Sequence, residues 1–200
     1  TQDLEPIAPQ KAVDLYLAQR EDDASERTVQ AHRYRLKHFA RWCEQEDLTN
    51  INDLTGRRLY EYRLWRKDDG DLNPVSLRTQ LSTLRAFVRF CESIDAVESG
   101  THEEILLPTL DANDDVKDEM LDGERAEKIR EYLERFEYAS RKHVLFEIFW
   151  ATSIRMGTLH SLDLEDFRSD EQALAIRHRP DGGTSLKNGE RAERIIALPE

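Results

Sequence analysis

Along most of the chain the apolar positions recur at helical spacing, and near the end they switch to alternation. Residues 9–20 place Val13, Tyr16 and Leu17 together and predict a first helix, broken by the acidic run Glu21–Asp23. Ser25 is a good N-cap for a second helix running to about Glu46, with Val29, His32, Leu36, Phe39, Ala40 and Cys43 on its inward face. A third helix is expected from about Thr55 to just before Asp68–Gly70, carrying Leu59, Tyr62, Leu64 and Trp65. Asn73–Pro74 opens a fourth, in which Leu77, Leu81, Leu84, Val88 and Cys91 alternate by four and three to form a packing seam. Residues 98–119 carry Gly100, Pro108 and a dense acidic run and read as a linker. Asp122 then caps a helix with Ala126, Ile129, Leu133 and Phe136 inward, and from about Ser140 the sequence VLFEIFW is apolar almost all round, the pattern of a helix in the middle of a core. Glu147 interrupts it and must reach the surface or find a partner. A short amphipathic segment with Leu159 and Leu162 ends in the acidic turn Asp163–Asp166. Beyond it Leu174, Ile176 and His178 alternate with Ala175, Arg177 and Arg179 as a strand, Asn188–Gly189 reads as a tight hairpin turn, and Glu190–Leu198 as the return strand.

These elements predict a mainly α chain with a small antiparallel β-sheet, divided into a four-helix bundle at 5–97, the linker at 98–119, and a second domain at 120–200 of helices followed by the hairpin. The 200 residues are enough for two small cores. Cys43 and Cys91 fall inside helical patterns beside aromatic residues and read as buried thiols, with no metal-ligand spacing and no disulfide framework. No apolar run approaches a membrane span, and the polar, acidic N-terminus lacks an export segment, so a soluble cytoplasmic protein is expected.

Net charge is −12, which at first argues against nucleic acid, but the distribution changes that reading. Residues 24–90 hold 13 basic against 9 acidic groups, whereas residues 91–172 hold 9 against 22. The basic side chains of the bundle form stripes: Arg33, Lys37 and Arg41 along the second helix, and Arg78, Arg85 and Arg89 along the fourth. Such stripes are solvated faces or phosphate-facing ones; inside so acidic a chain they are candidate DNA contacts. Arg outnumbers Lys by 22 to 7, a bias resembling that of proteins from salt-loving microbes, and phosphate contacts at high salt must be numerous to hold DNA.

Arg155, at the junction of the apolar helix and the acidic turn, has two readings. It is a structural arginine paired with Asp163 or Glu165, or its guanidinium fork receives a phosphate. The basic bundle upstream and Lys187 at the tip of the expected hairpin favour the phosphate.

The stretch Thr152-Ser153-Ile154-Arg155-Met156-Gly157-Thr158-Leu159, with Leu162, Leu164 and Asp166 after it, resembles the first-arginine motif of the tyrosine recombinases, the phage-integrase family. The segment TSLKNGERAERIIALP resembles that family's β-hairpin lysine segment, and the helices before the linker resemble its core-binding domain. The resemblance covers roughly residues 8 to 200, with the composition of a haloarchaeal member. It implies a SAM-like core-binding bundle followed by the front of an α+β catalytic domain. It also implies clamping of double-stranded DNA, assembly with other recombinase subunits, and strand transfer by a tyrosine, without metal or other cofactor. Arg155 would stabilise charge on the phosphoryl oxygens and Lys187 would protonate the departing 5′ oxygen. Thr158 stands where the family usually has an acidic residue. All six tyrosines (Tyr16, Tyr34, Tyr60, Tyr62, Tyr132, Tyr138) precede Arg155, and the later His-x-x-Arg and tyrosine motifs would lie beyond Glu200. The expectation is therefore the front part of a recombinase, or a natural truncation, unable by itself to form a covalent DNA adduct. A non-catalytic DNA-binding regulator and an acidic protein-binding adaptor are the alternatives.

Overall fold

The computed structural model describes residues 4–111, 114 and 120–199, which fall into two compact units, Thr1–Asp118 and Glu119–Glu200. In the first, α1 (Pro9–Asp23), α2 (Glu26–Gln45), α3 (Gly56–Asp69) and α4 (Pro74–Ser93) pack around one core. Their boundaries follow from side-chain caps: Ser25, Thr55 and Asn73 each accept a hydrogen bond from a backbone N–H three residues on. The acidic run expected to break α1 at Glu21 does not do so. Asp and Glu carry no steric bar to helix, and α1 continues to Asp23, where extended Ala24 ends it. The core is aromatic at its centre, with Phe39 against Tyr62 and Phe87 at ring distances of 5.4 and 5.7 Å, and Trp42 against Tyr62 at 5.5 Å. Both cysteines are buried free thiols in this unit, pushed by burial up to about 12, hence unreactive at neutral pH.

The first part of the segment expected as a linker is packed. Gly100 takes a left-handed φ of 90°, open to glycine without strain, and a 3₁₀ turn follows at Thr101–Glu104. Ile105 then buries its side chain in the core of the first unit. Residues 112, 113 and 115–119 of that segment lie outside the described residues.

The second unit holds α5 (Gly123–Phe136), α6 (Arg141–Thr152) and the short α7 (Met156–His160). Asp122 and Ser140 cap α5 and α6. Strands β1 (Phe167–Arg168), β2 (Ala173–Ile176) and β3 (Arg194–Ala197) form an antiparallel sheet in that order. Phe167 faces Leu174 and Ala175 faces Ile195. As the central strand, β2 is covered on both sides, and all four of its residues are buried.

Three expectations fail here. Phe136, expected inward on α5, is 62% exposed, since it lies in the last turn where no element covers it among the described residues. Helix α6, apolar almost all round, has no buried residue, and Val144 and Trp150 are 48% and 44% exposed. The described residues of the unit cover it only in part, while Glu147 meets the Arg130 Nε of α5 at 2.9 Å. Nor is Asn188–Gly189 a tight hairpin turn: Asn188 has φ −112°, whereas that turn needs positive φ at both residues. The β2–β3 ladder stops at Ile176 opposite Arg194, because the next backbone groups find other partners. The His178 N–H donates to the Glu193 carboxylate at 2.7 Å, and residues 177–193 form one long connection with a single bridge, Arg179 to Thr184.

Candidate nucleic-acid interface

The two basic stripes of the first unit have different fates. On α2, Lys37 is exposed with no side-chain partner among the described residues, and Arg33 makes only a long, exposed contact with Glu21 at 3.5 Å. Arg41 is engaged: it pairs with Asp69 and its guanidinium lies 4.9 Å from the Trp65 ring centre. On α4, Arg89 is exposed and unpartnered among the described residues. Arg78 donates to the Pro108 carbonyl at 2.6 Å and Arg85 to the Ile105 carbonyl. These two arginines therefore bind the segment that follows α4 back onto the helix, and the pair Glu92–His102 secures its start, with the His102 N–H and Nδ1 at 2.7 and 2.8 Å from the carboxylate. Burial pushes the Glu92 carboxyl up, but the hydrogen bonds from His102 and Gly100 outweigh it and hold the group below its usual range.

The third helix shows Lys67 and Leu64 in its sequence, and on α3 they are exposed with Tyr60 and with Arg57, which pairs with Glu61 at 3.0 Å. These four residues recur at spacings of three, four and three, which puts them on one face of the helix. Arg66 of the same helix is instead buried, bonded to Gln80 at 2.8 Å and Asp69 at 3.3 Å. His32 bonds the Tyr16 hydroxyl at 2.9 Å and Arg35 the Thr83 hydroxyl at 3.1 Å, so these two side chains of α2 tie it to α1 and α4.

In the second unit, α6 ends at Ser153 in the left-handed region, φ 50°, and Ile154 turns inward. Extended Arg155 is the N-cap of α7, its carbonyl accepting from the N–H groups of Thr158 and Leu159 at 2.9 and 3.0 Å. Its side chain is exposed and has no partner among the described residues. The carboxylates that could have paired with it are held by Arg179, a residue sequence reasoning had placed only as one position of a strand. Arg179 forks onto the fully buried Asp166 at 2.7 and 2.8 Å, reaches Glu165 at 3.3 Å and Asp163 at 3.6 Å, and donates to the Ser161 carbonyl at 3.0 Å. The Arg179 hydrogen bonds hold the Asp166 carboxyl below its usual range against the opposing effect of burial. Thr158 is buried and uses its carbonyl to accept from the Ser161 hydroxyl at 2.8 Å.

Lys187 is exposed and unpartnered among the described residues, but its backbone is anchored. The neighbouring Leu186 side chain is buried beside Leu174 and Ile176, and its N–H donates to His178 Nδ1 at 3.0 Å. No hydrogen bond or ion pair joins Arg155 to Lys187; each is an open cation. Among the described residues no cluster of His, Cys, Asp and Glu is placed to hold a metal, and no helix is long and apolar enough to cross a membrane.

The sequence profile of the phage integrase N-terminal SAM-like domain matches residues 14–93. The N-terminal domain of a phage integrase/site-specific recombinase from Haloarcula marismortui is 36% identical, over 52% of this chain and 99% of that one, with a TM-score of 0.50. The chain belongs to the tyrosine recombinase, or phage integrase, family. Lambda integrase, as a dimer bound to a COC′ core site, has the same fold at 15% identity and a TM-score of 0.72 over 96% of this chain. The Tn1549 transposon integrase, in complex with a circular intermediate DNA, does so at 17% identity and 0.63 over 94%. This chain spans 49% and 61% of those two proteins. No curated protein matches it in sequence.

Proposed function

We propose that the chain is the DNA-binding and phosphate-presenting part of a site-specific recombinase, acting on double-stranded DNA together with other recombinase subunits. Residues 5–97 act as the core-binding domain. Lys37, Arg33 and Arg89 are its available phosphate contacts, with exposed Lys67 of α3 as a further one. Arg41, Arg78 and Arg85 act mainly by holding the domain's own structure. Residues 120–200 act as the front of the catalytic domain, where Arg155 stabilises charge on the phosphoryl oxygens and Lys187 protonates the departing 5′ oxygen.

The observation that carries this reading is the open Arg155, without a partner among the described residues, beside an acidic turn whose buried carboxylate, Asp166, is already paired with Arg179. An arginine needed only for structure would have taken that carboxylate. Family membership supplies the reaction class.

Mobility shift with duplex DNA across a salt series tests the reading. Affinity should fall linearly in log–log form, and each lost phosphate contact should reduce the slope by about 0.9. Lys37→Ala and Arg89→Ala should each do this; absence of binding at every salt concentration would count against the proposal. On a nicked suicide duplex the 200-residue chain should give no covalent band in a denaturing gel, because no tyrosine follows Arg155 in it.

A further inference from the structure

Arg179 joins two parts of the second unit that hold different open cations. Through the Ser161 carbonyl, at 3.0 Å, it grips the end of α7, the helix that starts at Arg155. That helix is only five residues long, so fixing one end fixes the other. Through its own backbone Arg179 roots the connection that carries Lys187: its carbonyl accepts from the Thr184 N–H at 3.2 Å, and the adjacent His178 ring accepts from the Leu186 N–H. Between these, its guanidinium forks onto buried Asp166, with Arg177 Nε a further 3.7 Å from the same carboxylate. A fork of two parallel hydrogen bonds sets direction as well as distance, which a single bond does not.

We propose that Arg179 is a positioning residue for both cations, tying the end of the Arg155 helix to the root of the Lys187 loop while pairing with the buried Asp166 between them. The proposal rests on the reading that Arg155 and Lys187 meet DNA phosphate. Arg179 touches no DNA in this role; it decides where the other two point.

The test is a cycle of variants read by the salt slope of duplex binding. Arg179→Gln alone strands a buried carboxylate and can unfold the unit, so the background used is Arg179→Gln with Asp166→Asn, a neutral pair of similar shape. In the parent chain, Arg155→Gln and Lys187→Gln should each reduce the slope by about 0.9. In the neutral-pair background both substitutions should have no further effect, because the contacts are already lost. Full effects of both in that background overturn the proposal. Amide hydrogen exchange across the β2–β3 ladder separates a structural role: protection should be retained in the neutral pair, and its loss there overturns the proposal, since Arg179 would then hold the unit together rather than aim the cations. If Arg155→Gln and Lys187→Gln leave the parent slope unchanged, the phosphate reading itself fails, an outcome distinct from the other two.

Discussion

Helices α4 and α6 make a useful comparison. Helix α4 is apolar on one seam, and seven of its residues are buried; α6 is apolar nearly all round, and none is. The first unit closes a continuous core from Ala12 to Ile105, whereas the buried cluster of the second that contains Leu174, Ile176 and Leu186 is small and relies on half-buried neighbours such as Ile148 and Leu162. Apolar content therefore does not predict burial. What counts is whether neighbouring elements supply complementary surface, which α1, α2 and α3 do for α4. In the second unit polar contacts add anchors of their own, such as the Arg130–Glu147 pair between α5 and α6 and the bond from the Leu186 N–H to His178.

The largest expected effect follows directly. Phe87→Ala empties the centre of the first core and should cost about 4 kcal/mol, while Val144→Ala on α6 should cost less than about 1 kcal/mol. Amide exchange in urea reads each unit separately, and equal costs would break the comparison. Next, Asp166→Asn should destabilise the second unit by about 2 kcal/mol and leave the first unchanged. Because the folded carboxyl lies below its unfolded value of about 3.9, its contribution is fully present above that pH and fades as pH falls through the folded value. Acid titration of the second unit, parent against variant, should converge only below about pH 4. Glu92→Gln should free the start of the segment after α4, at about 1 kcal/mol, seen as faster exchange at His102. A last pair of substitutions, of similar size, tests where the units agree. Asn73→Ala and Ser140→Ala each remove an N-cap and should each cost about 1 kcal/mol, local chemistry being the same in both units.

The particular elements show how much was legible beforehand. Helix starts at Ser25, Thr55, Asn73, Asp122 and Ser140 could be read because a cap is a contact within four residues. So could the seam of α4 and the boundary between helical and strand periodicity. The Asn188–Gly189 turn could not, since it depended on whether the ladder from β2 reached that far. Nor could the fates of Arg41, Arg78 and Arg85, which look like Arg33 and Arg89 in the stripes.

By itself the sequence determined the local geometry: which stretches are helices, where they begin, and which faces are apolar or basic, all matters of neighbours within a turn or two. Only the tertiary structure decided partnership. It assigned the acidic turn to Arg179 rather than Arg155, took Arg78 and Arg85 for backbone carbonyls, and left Lys37, Arg89, Arg155 and Lys187 without partners among the described residues. The physical reason is that a long cation can satisfy its charge with any acceptor within reach, and what lies within reach across tens of residues is set by the fold.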